Sequence, residues 1–186
     1  MKKTFTYEID KNDIILSVSH NWQSFAEQND GGEELFSENL IGSSLWNFIR
    51  DRETKHLYKI ILERVRSYNQ SATFQFRCDS PEHRRFLELT VIPKNEKIVE
   101  FRSRIKRTES RETAKLLQYG IKRSDELVRI CSMCKKVAVS AKQWKEIEEA
   151  IADLNIFEKE LMPQLTHGIC PSCYDNAIKE LDSIDQ

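Results

Sequence analysis

The sequence predicts an α+β protein: an antiparallel sheet with helices on one face, followed by a small helical module held together by cysteines. Three observations lead there. Apolar and polar residues alternate in short segments near the start and again between 74 and 105, which is the period of half-buried strands. Between those groups, residues 52–67 repeat apolar side chains at helical spacing. Four of the five cysteines form two C-x-x-C pairs, Cys131/Cys134 and Cys170/Cys173.

Taken in order, Phe5, Tyr7 and Ile9 alternate with polar neighbours, DKND at 10–13 makes a turn, and IILSVS at 14–19 returns, so the start reads as a hairpin. Trp22, Phe25 and Ala26 then fall at helical spacing within 21–29, and NDGG at 29–32 ends that helix. The segment IGSSLWNFI at 41–49 reads as a capped short helix buried on its Leu45, Trp46 and Ile49 side. A longer helix covers 52–67, with Asp51 as its N-cap and Leu57, Ile60, Ile61 and Val65 as its apolar stripe.

Three strands follow, with Phe74, Phe76 and Cys78 on one face of the first, Leu87, Leu89 and Val91 on the second, and Val99, Phe101 and Ile105 on the third. Turns at 79–82 (DSPE) and 93–96 (PKNE) join them into a meander. Two strands, helices and a meander make an antiparallel sheet with helices on one side. Cys78 is expected to be a buried core thiol. The charges of RCDSP at 77–81 and HRR at 83–85 are expected to solvate a hairpin tip; the alternative is a docking or anion-binding surface joined by Arg102 and Arg104 on the outer face of the last strand. The basic run RSRIKRTESR at 102–111 leads into a connecting helix at 112–118, weakly amphipathic through Leu116 and Leu117 and interrupted by Gly120.

The cysteines carry the most specific chemistry. A two-residue gap lets both sulfurs of a pair turn to adjacent corners of a tetrahedron. Pro171 fits the first position of a helix that continues through Leu181, and the backbone N–H groups there favour thiolate charge. Lys135 and Lys136 follow the first pair and offset the same charge. Trp144, Ile147, Ile151 and Leu154 form one stripe of an intervening helix expected to pack over the site. Cys131, Cys134, Cys170 and Cys173 are therefore expected to hold one structural Zn(2+), with His167 donating a hydrogen bond toward a thiolate or replacing one cysteine. Four thiolates leave no open coordination position, so the site is not hydrolytic. A dithiol redox switch is the competing reading; Cys131–Cys134 lacks the surrounding βαβ pattern of an oxidoreductase.

Charged residues make up 32% of the 186 residues and cancel to a net charge of −1, so no global field favours nucleic acid or an anionic membrane. The start, MKKTFTYEIDKND, turns polar too soon for an export signal, and no run approaches the roughly 20 apolar residues of a membrane span. A cytoplasmic protein is expected, in which paired cysteines bind metal in preference to forming disulfides. No Gly-rich phosphate loop, kinase signature or nucleophile elbow is present, and no enzyme activity is expected.

The layout of YEIDKNDIILSVSHNW (7–22), IGSSLWNFIRDRETKHLY (41–58), FQFRCDSPEHRRFLELTVIP (74–93) and KIVEFRS (97–103) resembles a PAS domain. The cysteine module is similar to a CxxC…HGICPxC segment found after PAS or receiver modules in bacterial signalling proteins, through Cys131, Cys134, His167, Gly168, Cys170, Pro171 and Cys173. The resemblance implies a sensor: PAS folds bind a small molecule between sheet and helices, or dimerise, and pass a change to a partner. It does not extend to a flavin-binding Asn-Cys-Arg-Phe-Leu-Gln motif, which is absent. Haem-binding PAS domains offer a histidine on the long helix; His56 is read instead as a lone exposed histidine. The expected organisation is a PAS-like sensor at 1–107, a linker with a connecting helix at 108–129 and a four-cysteine zinc module at 130–186. The expected function is a non-enzymatic, homodimeric sensor or adaptor with an unidentified ligand and an unidentified signalling partner. A redox sensor that releases zinc on oxidation is the alternative, and a DNA-binding regulator a third.

Overall fold

The computed structural model describes residues 4–28 and 32–184; the expected helix stop at 29–32 falls mostly outside them. Strands β1 (Thr4–Ile9) and β2 (Ile15–Val18) form the hairpin, followed by helices α1 (Trp22–Gln28), α2 (Ser37–Leu40) and α3 (Arg52–Tyr68). Strands β3 (Ala72–Arg77), β4 (His83–Pro93) and β5 (Val99–Ser110) form the meander. The five strands make one antiparallel sheet in the order β2-β1-β5-β4-β3.

Helix α3 starts where its cap predicts: Asp51 Oδ1 accepts the Thr54 backbone N–H at 2.7 Å. Leu57, Ile61, Leu62 and Val65 bury its inner face against Phe74, Leu89, Val91 and Phe101 of the sheet. The segment 41–49 forms only one 3-10 turn, Leu45–Asn47, capped by Ser44. Its apolar residues serve a single turn in which Leu45 is the one that is buried, too short a stripe to propagate a helix. Helix α2 precedes it, in a stretch for which the sequence predicted no element.

The second half differs more from expectation. No connecting helix forms at 112–118; a 3-10 turn, Lys115–Leu117, stands there instead and buries Leu116. Gly120 at φ +71° then redirects the chain, and the extended backbone resumes as β6 (Arg123–Cys131). With β7 (Val137–Ala138), β8 (Trp144–Lys145) and β9 (Met162–Gly168), β6 builds a four-stranded sheet in the order β8-β7-β6-β9, in which β6 and β9 run parallel. The module is therefore not chiefly helical. Its helices are α4 (Ile147–Asp153) and α5 (Pro171–Ser183). Trp144 belongs to β8, not to a helical stripe, and α4 buries Ile147, Ala150 and Ile151 in a core with Leu116, Val128, Ile130 and Val137. The cysteines lie in the other core: Cys131, Met133, Cys170, Ala177 and Leu181 pack together with Leu57, Phe74 and Phe101. Helix α5 also shields the sheet edge, because Glu180 Oε1 accepts the Thr73 N–H of β3 at 3.1 Å.

Cys78 is not a core residue. Strand β3 ends at Arg77, and Cys78 is half-buried beyond it. Nor do the charges beside it solvate a hairpin tip. Arg77 donates to Asp79 and, at 2.7 Å, to Glu146; Arg111 reaches Asp79 at 3.3 Å and the Ser80 carbonyl at 2.9 Å. The side chains of Arg77, Asp79 and Arg111 keep only 8%, 1% and 4% of their surface exposed. Residues 146–148 cover this corner, with Arg84 joining through Glu148 at 2.7 Å.

This corner has a pH dependence of known sign. Burial works against the Glu148 carboxylate, but the hydrogen bond from Arg84 and the charges of Arg84 and Arg111 outweigh it and hold the pKa below the ordinary value of 4.5. A depressed carboxylate stabilises the fold fully above its unfolded value and loses that contribution as pH falls through the folded one. Glu148→Gln is expected to lower the melting temperature near neutral pH, with the gap from the native protein closing as the pH drops below 4.5. A gap that stays constant across that titration would exclude Glu148 as its source.

Candidate metal centre

Each half of the centre is placed by regular structure. Strand β6 ends at Cys131, whose N–H bonds the Lys136 carbonyl at 2.8 Å while the Lys135 N–H returns to the Cys131 carbonyl at 3.0 Å. Lys135 closes this loop in the left-handed region at φ +62°, and Cys134 is carried back toward Cys131. Cys170 is the N-cap of α5, Pro171 its first residue and Cys173 lies in its first turn.

All four sulfurs lie within 4.8 Å of one another, and Cys134 Sγ stands 3.7 Å from Cys170 Sγ. A tetrahedron with metal–sulfur bonds of about 2.3 Å has edges of about 3.8 Å, so the separation fits one ion. The Cys170 N–H points at Cys131 Sγ at 3.4 Å, the kind of backbone donor that stabilises a thiolate. Four thiolate charges in so small a shell would need a cation to offset them. Hydrogen bonds from Cys134 and Cys173 lower the Cys131 pKa, whereas Cys134 is pushed up to about 12, chiefly by its bond with Cys131, and Cys173 is raised by Cys131 and Cys134. The sulfurs thus compete for one negative charge, and a divalent ion lets all four ionise together. The donor set can hold one metal ion.

His167 lies outside this set. It is exposed on β9 opposite Ile130 of β6, and among the described residues it makes no hydrogen bond to a sulfur. It lines a cleft with Asp51, Thr54 and Ser132. His56 is exposed on α3 and lines a surface groove with Arg52, Lys55 and Tyr174. It does not line the apolar cavity between sheet and helices, a space of about 180 Å³ walled by Tyr7, Trp22, Leu35, Phe48, Ile49 and Tyr58 among others. Arg102 and Arg104 stand on the outer face of β5, paired with Glu100 and Glu88.

Ser132, Met133 and Ile169, beside the cysteines, had no signal in the sequence, yet they attach the centre to the first sheet and its helix. Thr54 Oγ1 donates to Ser132 Oγ at 2.9 Å, the Arg77 N–H to the Met133 carbonyl at 2.7 Å and the Ile169 N–H to Glu53 Oε2 at 2.8 Å. Gly168 offers the one legible hint. The Arg129 guanidinium lies where a side chain at 168 would be, and from there it pairs with Glu53 of α3 and sits 5.5 Å over the Trp144 ring. A glycine before a cysteine pair thus marks a close approach.

Fold and centre together define an α+β protein with a tetrathiolate site suited to one metal ion. Among the described residues no helix is long and apolar enough to cross a membrane. No protein-family model and no curated protein matches the chain.

Proposed function

We propose that the chain is a non-enzymatic sensor or adaptor of bacterial signal transduction, acting in the cytoplasm, in which a PAS-like input unit is coupled to a structural zinc centre that docks a partner protein. The layout of two strands, helices and a three-stranded meander, with an apolar cavity between sheet and helices, supports the input unit. Four soft thiolates at tetrahedral spacing suit zinc. The observation that carries the coupling is the seating of the Cys131–Cys134 loop: Ser132 bonds Thr54 of α3 and Met133 bonds Arg77 of β3. A ligand that shifts α3 therefore moves the metal loop, and the surface around it, directly.

Native mass spectrometry of the full chain tests this reading. One zinc per chain, together with a retained small molecule or a dimer, is the expected spectrum. A chain that carries no metal when purified without chelator, yet melts cooperatively, removes the zinc centre from the proposal.

One feature favours redox sensing as a second reading. Cys134 and Cys173 are half-buried, and Cys173 opens onto a pocket of about 220 Å³ beside Gln75 and Asn176, so a peroxide can reach a ligand sulfur. Oxidation would then release zinc. Unchanged zinc stoichiometry after mild peroxide discards that reading.

A further inference from the structure

Helix α3 carries a stripe of uncompensated positive charge. Arg52, Lys55, His56 and Lys59 follow one another at i, i+3, i+4 and i+7, the spacing of a single helix face. Farther along the same helix, Arg64 and Arg66 pair with Asp182 and Asp13. Among the described residues no carboxylate pairs with Arg52, Lys55 or Lys59, the last of which lies 5.7 Å over the Trp46 ring. The stripe is one wall of a surface groove of about 800 Å³; the other is the start of α5, with Ile169, Pro171 and Tyr174. Of the two carboxylates in the groove, Glu53 is taken up by Arg129 and the Ile169 N–H, which leaves Asp175 alone to offset three cations.

The far end of the second sheet has the opposite character. Ile156 anchors the 3-10 turn Ile156–Glu158 in the second core, and the next residue, Phe157, is turned outward with 78% of its surface exposed. On β6, Val128 faces that core and Leu127 points away from it, 66% exposed. An ion pair between Lys159 and Glu126 ties the turn to the strand beside these two apolar side chains. Asp125, Glu158 and Glu160 flank that pair in the chain, are exposed, and meet no cation among the described residues. Large apolar side chains exposed within a polar rim mark an interaction site.

The two surfaces cannot meet within one chain. Glu126 precedes Cys131 on β6 by about 17 Å, at about 3.3 Å per strand residue, whereas the groove lies at the cysteine end, where Ile169 and Pro171 flank Cys170. Backbone pairing with β9 over residues 127–131 holds that stretch of β6 in place.

We infer that the acidic end of one chain docks in the basic groove of a second copy, with Phe157 seated against Pro171 and Tyr174 and the carboxylates facing Arg52, Lys55 and Lys59. Opposite charge aligns the two faces, and the aromatic side chains supply the anchor. Because different patches meet, the contact is heterologous: a pair still has one groove and one acidic end free, and copies add head to tail. Such addition needs no ligand and holds whether or not the chain is a sensor.

Sedimentation velocity of the full chain tests the docking. Its mean mass is expected to rise with concentration. Going from about 0.1 M to about 1 M salt, which shortens the screening length from about 10 Å to about 3 Å, should weaken association by about tenfold or more. The surface variants Lys55→Glu/Lys59→Glu and Leu127→Ser/Phe157→Ser should each stay monomeric. Their equimolar mixture should form a heterodimer and stop there, because one variant keeps the native acidic end and the other the native groove. Both should melt with the native chain; should either not, Arg52→Glu and Glu158→Lys/Glu160→Lys take their places in the same mixture. A mixture that stays monomeric overturns head-to-tail docking, as does native association that neither salt nor the variants weaken. A native chain that is monomeric at every concentration overturns the second copy as occupant and leaves the groove to an acidic segment of another protein.

Discussion

Removing the metal ion proposed for the cysteine centre is expected to unfold the C-terminal half of the chain and to loosen α3 and β3 with it. A structural zinc contributes on the order of 10 kcal/mol or more, comparable with the roughly 5–15 kcal/mol by which a whole domain is stable. The packing sets how far the loss spreads. Cys131, Met133, Ile169 and Cys170 share one core with Leu57, Phe74 and Phe101, and the loop between the first two cysteines is bonded to Thr54 and Arg77. Without the ion, no metal bond ties the two cysteine pairs together, and the loop is expected to open and expose the flank of the first sheet. Cys131→Ser should have the same effect, because Cys131 is fully buried and its sulfur accepts the Cys170 N–H. Hydrogen exchange before and after chelation reads the outcome: protection should fall in α5, in β3 and in the first turns of α3. Loss of protection confined to residues after 130 would mean that the two halves fold independently.

Arg77→Ala is expected to cost about 3–5 kcal/mol, the range for breaking a buried ion pair by deleting one partner. Asp79, with only 1% of its side chain exposed, would keep Arg111 alone, and Glu146 would lose its 2.7 Å bond. Arg84→Ala is the control, since its pair with Glu148 is 28% and 39% exposed and a pair of that kind contributes less than about 1 kcal/mol. Urea unfolding compares them through the midpoint at constant slope. An Arg77 variant within about 0.5 kcal/mol of the native protein would mean that water already screens the corner. Zinc content should stay at the native level in both variants, which separates this effect from damage to the cysteine centre.

Much of the fold was legible in local pattern. The alternation of Phe5, Tyr7 and Ile9, and of Leu87, Leu89 and Val91, located strands because a period of two has no other common cause. Asp51 and the stripe behind it located α3 to within a residue at each end. The pairing of Cys131 with Cys134 and of Cys170 with Cys173 foretold the sulfur cluster. The signal failed where it was short or ambiguous. Leu116 and Leu117 were read as a helical face, but one buried leucine in a 3-10 turn accounts for them. Trp144 fell into register with Ile147 and Ile151 by spacing alone, and the strand β8 takes it out of the helix. Cys78 continued an alternation that β3 does not sustain past Arg77.

By itself the sequence determined the parts whose cause is local: periodic strands, a capped helix and four thiols at ligand spacing. Tertiary structure decided what those parts face. The parallel pairing of β6 with β9, the burial of Arg77, Asp79 and Arg111, the seating of the cysteine loop on α3 and β3, and the stacking of Tyr7 and Tyr58 on Phe101 all join residues distant in the chain. A charge beside a turn looks the same in a sequence whether water or another element covers it; only the docking of residues 146–148 decides that the charge is buried, and burial sets what the interaction contributes.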